Sequence, residues 1–99
     1  MNLGKVKVRL VGLLGGLAGK SEIVVELDKP ATVEWLMSEL VSELGRKEFK
    51  RALIDQELAD ASQRTIVIVN EKEIGILQGF KTALRDGDVV VLVPISHGG

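Results

Sequence analysis

The chain has 99 residues, which is enough for one domain with a modest hydrophobic core. Its 13 basic and 14 acidic residues give a net charge of -1, so no basic field favours binding to nucleic acid. Because the chain contains no cysteine, a disulfide scaffold, a thiolate metal site and a thiol nucleophile are all excluded.

The first residues are not typical of an export signal. Lys5, Lys7 and Arg9 alternate with apolar residues, which indicates a strand rather than a charged region followed by an apolar one. The longest apolar run, residues 89–95, is much shorter than a membrane-spanning helix. We therefore expect a soluble, cytoplasmic protein without a membrane partner.

Alternating apolar residues predict two strands in the first part of the chain, over residues 5–11 and 22–27. The simplest arrangement joins these strands as a hairpin. Residues 12–20 between them include four glycines, so a loop is predicted there.

An amphipathic helix is predicted over residues 33–44, where apolar side chains recur at spacings of three and four. Thr32 is a suitable N-cap, and Gly45 is a suitable residue to end the helix. No strand produces this spacing of apolar residues.

The remaining predicted elements are shorter. In chain order they are a helix over residues 47–54, a strand over 65–69, a strand over 73–76, one helical turn within 77–84 and a strand over 89–93. The last strand is apolar on both faces, which is typical of a central position in a sheet. Pro94 is expected to end its ladder on one side, because proline has no N–H group.

Residues 14–21 come close to the pattern of a phosphate-binding loop. That pattern requires glycine where this chain has Leu14, and it requires a helix after Ser21. A strand is predicted after Ser21 instead, so the glycines are better explained by a turn that needs positive φ angles.

Other polar or aromatic residues have simple explanations. His97 is the only histidine and has no neighbour that would complete a metal site or a catalytic dyad. Asp55, Glu57 and Asp60 lie in a polar segment and are expected to form a solvated face. Trp35 lies opposite the apolar stripe of the helix, where it either packs under the following loop or is a partly exposed contact residue. No catalytic or metal-binding constellation is predicted.

Gly98 and Gly99 follow the predicted central strand after a short extension. Glycine has no side chain, so this segment could thread a channel too narrow for any other residue. The α-carboxylate of Gly99 would be ionised at neutral pH and a poor electrophile, so it would need activation, for which adenylation is the obvious route. A frayed terminus without a function is the alternative.

The order of these features resembles the ubiquitin-like sulfur carriers, which include the small subunit of molybdopterin synthase, the thiamine-pathway sulfur carrier and the ubiquitin-related modifier. The resemblance lies in the Ile-Val-Ile-Val-Asn run at residues 66–70, the Asp-Gly-Asp turn at 86–88 with the strand that follows it, and Gly98-Gly99. Leu-Ala-Gly-Lys at residues 17–20 also agrees, so the resemblance spans nearly the whole chain.

Some positions distinguish the branches of that family. Glu71 stands where the family usually has glycine, and His97 stands where glycine or alanine is common. The ending His-Gly-Gly is similar to the ubiquitin-related modifier branch. The Val93-Pro94 step and the sequence at residues 17–20 are more similar to the molybdopterin branch. The branch stays open.

The resemblance implies an α+β protein with a β-grasp fold, in which a mixed sheet packs on one long helix. Residues 1–95 would form a single domain, and residues 96–99 would form a flexible tail. The protein would be a carrier rather than an enzyme, or a small non-catalytic subunit if it belongs to a molybdopterin synthase.

The resemblance also implies a mechanism in which His97, Gly98 and Gly99 enter the active site of a partner. An ATP-dependent activating enzyme would adenylate Gly99, and sulfur transfer would convert it to a thiocarboxylate. That group would donate sulfur in molybdopterin cofactor biosynthesis or in tRNA thiolation. The partners would be the activating enzyme and either the large subunit of molybdopterin synthase or a tRNA-thiolation enzyme. No bound cofactor is implied, since ATP is consumed by the activating enzyme.

Two other functions stay open. The first is a ubiquitin-like protein modifier that is conjugated through Gly99 to lysines of target proteins. The second is an interaction domain that binds partners without covalent chemistry. A plain binding domain should tolerate an added C-terminal residue, whereas a carrier or a modifier should not.

A partner docking surface is also predicted, because one helix can cover only one face of the sheet. Part of the strand over residues 89–93 must then remain accessible. We predict that Phe80, Leu92 and Ile95 contribute to this surface. The alternative for Phe80 is a core position that closes the helical turn against the sheet.

Overall fold

The computed structural model describes residues 3–53 and 63–96 of the chain. Its strands and helices follow in this order: β1 (Gly4–Leu10), α1 (Leu13–Ala18), β2 (Glu22–Leu27), β3 (Ala31–Thr32), α2 (Val33–Leu44), α3 (Lys47–Leu53), β4 (Gln63–Val69), β5 (Lys72–Glu73), β6 (Ala83–Leu84) and β7 (Val89–Ser96). Two 3-10 turns, Ile74–Ile76 and Gly79–Lys81, lie between β5 and β6.

Five of the strands form one mixed sheet in the order β2-β1-β7-β4-β5. The pair β1 and β7 is parallel, whereas β1 with β2, β4 with β7 and β4 with β5 are antiparallel. The hairpin of the first two long strands is therefore confirmed, and so is the central position of the last strand. β3 and β6 form a separate two-stranded ladder.

The core lies between one face of this sheet and the helices. Because side chains alternate along a strand, β1 directs Val6, Val8 and Leu10 inward, and all three are buried. The apolar stripe of α2 covers them with Val33, Leu36, Met37 and Leu40, which are buried as well. Trp35 is partly buried and packs against this core, and both interpretations of this residue stay predictions. The α+β class, with a mixed sheet on one long helix, is confirmed.

The ends of α2 also agree with the sequence. The Trp35 amide donates to Thr32 Oγ1 at 3.3 Å, which makes Thr32 the N-cap. Gly45 adopts a left-handed conformation with φ 60°, and its amide donates to the Val41 carbonyl. The predicted helix over residues 33–44 is confirmed at both ends.

The glycine-rich segment 12–20 is not a loop, and that prediction is wrong. It contains the short helix α1, flanked by Gly12 and Gly19 at φ 57° and 78°. Leu14 and Ala18 are four residues apart, so they share one helix face, and both are buried. Burial of this face outweighs the low helix propensity of the two internal glycines.

The segment between β4 and β7 also differs from the prediction. Only Lys72–Glu73 pairs as a strand, and Ile74–Ile76 forms a 3-10 turn that buries Ile74. The strand predicted over residues 89–93 continues through Pro94 to Ser96, because β4 pairs with it over that whole length. Asp55, Glu57 and Asp60 lie outside the described residues, and so do His97, Gly98 and Gly99.

Candidate functional site

The candidate site lies on β7, since this strand leads directly into residues 97–99. On one side, β7 pairs with β1 from Lys7 opposite Val89 to Leu10 opposite Leu92. On the other side, it pairs with β4 along its whole length. β7 is therefore held on both edges as far as Leu92 and on the β4 edge alone from Val93 to Ser96.

The start of β7 is fixed by Asn70, the residue after β4. Its side-chain amide nitrogen donates to Asp88 Oδ1 at 2.8 Å, and its side-chain oxygen accepts from the Val89 amide at 2.9 Å. The other carboxylate oxygen of Asp88 accepts from the Arg85 amide at 2.8 Å. Asn70 adopts φ 49°, a conformation that asparagine tolerates better than most residues. One side chain thus joins the hairpin of β4 and β5 to the turn before β7.

The same turn holds the start of β1. Asp86 Oδ1 accepts from the Lys5 amide at 2.9 Å, and the Gly87 amide donates to the Lys5 carbonyl at 2.9 Å. A β-carbon placed on Gly4 would lie only 2.2 Å from Asp86 Cβ, so glycine is required for this close approach. The Asp-Gly-Asp turn at residues 86–88 therefore sets the positions of β1 and β7.

The two faces of β7 have different surroundings. Val90 and Leu92 point into the core and are fully buried, whereas Val89, Val91 and Val93 lie on the outer face and are only partly buried. The prediction that Leu92 belongs to a docking surface is therefore wrong. The alternation of β7 places Leu92 on the helix side of the sheet, where a partner protein has no access to it.

The other two predicted docking residues are at least partly exposed and lie apart. Phe80 is 55% exposed, so it is not the core residue that was the alternative. It belongs to the 3-10 turn that packs beside the start of α2, where the Val33 amide donates to the Thr82 carbonyl at 3.0 Å. Ile95 is half-buried near the end of β7. Their roles in docking stay predictions.

Apolar residues other than Ile95 also lie near the end of β7, and they were not predicted from the sequence. The Val11 amide donates to the Leu92 carbonyl at 3.1 Å, which extends the parallel ladder beyond β1 and puts Val11 beside Val93. Val11 is 43% exposed and Leu13 is 54% exposed. The sequence does indicate that Val11 is exposed, because Val11 continues the outward series of Lys5, Lys7 and Arg9. It is the one apolar residue in that series.

Charged side chains occupy the outer face of β1 and β2. Glu22 Oε1 lies 3.9 Å from Lys7 Nζ, and Glu22 Oε2 lies 3.7 Å from Arg9 Nε. These ion pairs are exposed and weak.

In the part of the chain that the structure describes, no group of three or more histidine, aspartate and glutamate residues could hold a metal ion. No helix within those residues is long and apolar enough to cross a membrane. β2 follows Ser21 directly, so residues 14–21 lack the helix that a phosphate-binding loop needs.

The comparisons with known proteins agree with this architecture. The model of the ThiS family matches residues 8–99, which is nearly the whole chain. The chain belongs to the ThiS family. This confirms the resemblance to the ubiquitin-like sulfur carriers, and with it the β-grasp fold. No curated protein matches the chain.

Solved structures show the same fold. The HVO 2177 protein of Haloferax volcanii is 27% identical over 97% of this chain and 87% of its own, with a TM-score of 0.75. A Pyrococcus furiosus protein provisionally described as molybdopterin converting factor, subunit 1, is 29% identical over 93% of this chain and 98% of its own, with a TM-score of 0.71. Small archaeal modifier protein 1 of Haloferax volcanii is 25% identical over 97% of this chain and 100% of its own, with a TM-score of 0.74.

Proposed function

We propose that this ThiS-family protein is a sulfur carrier that reacts through the carboxylate of Gly99. The observation that carries the proposal is the family match, which includes Gly98 and Gly99, together with the rigid strand that leads to them. A sulfur carrier needs a terminus that reaches into another protein while its own domain stays folded. β7 supports this because β1 pairs with it as far as Leu92 and β4 pairs with it as far as Ser96.

The first step is adenylation by an ATP-dependent activating enzyme. An oxygen of the Gly99 carboxylate attacks the α-phosphorus of ATP, the bond to pyrophosphate breaks, and an acyl adenylate forms. A sulfur nucleophile at the hydrosulfide level then attacks the acyl carbon, and AMP leaves. The terminus becomes a thiocarboxylate, which is a sulfur nucleophile that the next enzyme can use.

In this mechanism the chain supplies the reacting terminus, and the protein acts as a carrier and co-substrate. Gly98 lets the backbone enter a narrow channel, and His97 belongs to the same segment that enters the partner's active site. ATP is used by the activating enzyme and is not bound by this protein. The consumer of the sulfur is either the large subunit of a molybdopterin synthase or a tRNA-thiolation enzyme. The Pyrococcus furiosus neighbour favours the molybdopterin route.

A second candidate function is conjugation of Gly99 to lysines of other proteins. The observation that favours it is the similarity to small archaeal modifier protein 1. Both functions share the acyl adenylate and differ only in the nucleophile that displaces AMP. A non-covalent interaction domain is the third option, and it makes no use of a free Gly99 carboxylate.

ATP–pyrophosphate exchange tests the shared step. The wild-type chain should support exchange of labelled pyrophosphate into ATP by the adenylating enzyme of the same organism. Removal of Gly99, or addition of one alanine after it, should abolish exchange, while an alanine added before Met1 should have no effect. Thermal unfolding should be the same for all four proteins, because residues 97–99 lie beyond the paired part of β7. Full exchange by the extended chain would sink the covalent mechanism and favour the interaction domain.

A further inference from the structure

We propose that the free edge of β2 binds an extended, basic segment of another protein, which adds to the sheet as a further strand. This binding site, the β2 edge, consists of the outward backbone groups of β2 and the acidic groove between β2 and α2. It lies on the opposite margin of the sheet from β5. The proposal needs no reaction at Gly99, so it is independent of the proposed function.

The backbone of β2 has hydrogen-bonding groups to offer a partner. Among the described strands, β2 pairs with β1 alone. Leu10 and Ser21 continue the register of this pair, and the Leu10 amide donates to the Ser21 carbonyl at 2.8 Å. Because hydrogen-bonded pairs alternate with non-hydrogen-bonded pairs in an antiparallel ladder, the backbone groups of Glu22, Val24 and Glu26 point away from β1. Such a row of outward N–H and C=O groups is able to pair with another strand.

A groove of about 520 Å³ lies along this edge, and β1, β2 and α2 contribute its walls. Its charged lining consists of one cation and four carboxylates, namely Lys5, Glu26, Asp28, Glu39 and Glu43. None of these four carboxylates forms an ion pair with another described residue. The groove therefore has an excess of negative charge, which favours a basic ligand.

Two of the groove carboxylates are unfavourable for the fold itself. Glu39 and Glu43 are four residues apart on α2, so they are neighbours on one helix face and repel each other. Glu43 also lies in the last turn of α2, where the helix dipole disfavours an acidic side chain, and no basic residue occupies that turn. A basic ligand in the groove would relieve both of these unfavourable interactions.

Charge also distinguishes a second copy of the chain from a different partner. Two β2 strands that pair antiparallel around Val24 would place Glu22 of each copy opposite Glu26 of the other, and like charges opposite each other destabilise a sheet. A strand with an apolar residue opposite Val24 and a lysine or arginine opposite Glu26 is complementary instead. A cation opposite Glu22 adds less, because Glu22 already forms ion pairs with Lys7 and Arg9.

The alternation of side chains along the added strand defines the ligand. Its apolar residue lies on the outer face opposite Val24, which is 52% exposed and can pack against it. The residues before and after that apolar residue point to the α2 side, where Glu39 and Glu43 line the groove. The ligand is therefore an extended segment in which one valine or isoleucine has lysines or arginines on both sides.

The experiment measures binding of a fluorescein-labelled peptide to the full chain by fluorescence anisotropy. The probe is the capped peptide Thr-Thr-Lys-Lys-Val-Lys-Lys-Thr-Thr. The control peptide carries N-methylvaline at the central position, which keeps every charge but removes the N–H group that would donate to the Val24 carbonyl. The wild-type chain should bind the probe about fivefold more tightly than the control peptide, because a backbone hydrogen bond is lost.

Three variants of the chain locate the binding site. Val24→Pro should weaken probe binding about fivefold and leave the fold intact, because the Val24 N–H group points to the free edge and takes no part in the ladder with β1. The double variant Glu39→Gln/Glu43→Gln should weaken binding by a similar factor of about five. The matched control Glu34→Gln/Glu48→Gln removes the same charge from exposed positions at the starts of α2 and α3, and should bind within about twofold of the wild type.

Each contrary result has one meaning. Equal binding of the two peptides would overturn strand addition, because charge alone would then explain the affinity. This comparison uses only the wild-type chain, so it decides the question even if Val24→Pro unfolds. An equal loss in the two double variants would overturn the site at the β2 edge, and absence of binding by the probe would overturn the whole proposal. Pyrophosphate exchange through Gly99 would be unaffected in each case, which separates this proposal from the proposed function.

Discussion

The inner and outer faces of β7 carry side chains of the same chemical type with different consequences. Val90 and Leu92 on the inner face are fully buried under the helices. Val89, Val91 and Val93 on the outer face remain partly exposed, because no helix of the described chain covers that side. The difference comes only from the alternation of side chains along a strand.

This comparison shows how one strand serves both the fold and the predicted docking of a partner. The inner residues hold β7 in the sheet, and the outer residues near its end lie where an enzyme has to approach Gly99. Substitution of an inner residue of β7 should therefore lower the stability of the fold. Substitution of the adjacent outer residue should instead weaken binding of the partner. Turn residues at the start of β7 form a third group, which affects stability alone.

The largest expected loss of stability is for Leu92→Ala on the inner face. Removal of a fully buried leucine side chain should lower the free energy of unfolding by about 2–5 kcal/mol. Leu40→Ala, on the helix side of the same core, should cost a similar amount because Leu40 is also fully buried. Urea unfolding measures both. A loss well under 1 kcal/mol for either variant would mean that the core between the helices and the sheet is not packed as described.

A smaller loss is expected for Asn70→Ala. It removes one donor and one acceptor that join Asn70 to Asp88 and Val89, at about 0.5–1.5 kcal/mol for each hydrogen bond. Asn70→Gly is the control, because glycine accepts the positive φ angle but lacks both hydrogen bonds. Asn70→Gly should be less destabilised than Asn70→Ala. Both variants should support wild-type pyrophosphate exchange when folded, and a raised KM would show that the turn also takes part in docking.

The smallest effect is expected for Phe80→Asp. Because this side chain is 55% exposed, the free energy of unfolding should change by less than about 0.5 kcal/mol. KM in pyrophosphate exchange should stay within about twofold of the wild-type value, since Phe80 lies beside α2 and not at the end of β7. An unfolded Phe80→Asp variant would assign Phe80 to the core. A larger rise in KM with an unchanged unfolding temperature would show that the partner docks on the Phe80 side.

Sequence periodicity predicted the elements with a clear repeat. The α2 stripe and its caps at Thr32 and Gly45 were readable because they depend on local spacing. α1 was not, because its two buried residues, Leu14 and Ala18, are too few to produce a periodic signal among glycines. Its stability comes from packing against β1 and β7, and that packing depends on residues distant in the sequence.

The candidate site was less predictable from the sequence than the secondary structure. An apolar strand predicts that one face is buried, but the sequence does not show which face, so Leu92 was assigned to the surface. The direction of β7 depends on its register with β1 and β4. The exposed position of Val11 could have been predicted, since Val11 continues the outward series of Lys7 and Arg9 in the strand predicted over residues 5–11. Gly98 and Gly99 were identified by sequence alone, and their proposed role rests on the family.

The intact mass of the protein isolated from its own organism tests the central claim most directly. The account predicts a fraction that is heavier by the difference between one sulfur and one oxygen atom, with the change located at Gly99 by fragmentation. Treatment with an alkylating reagent should add one alkyl group to that fraction, although the chain has no cysteine. Larger masses that join Gly99 to lysines would favour the modifier function. A protein with only an unmodified carboxylate at Gly99, in cells that are actively making sulfur-containing cofactors and thiolated tRNA, would contradict the account.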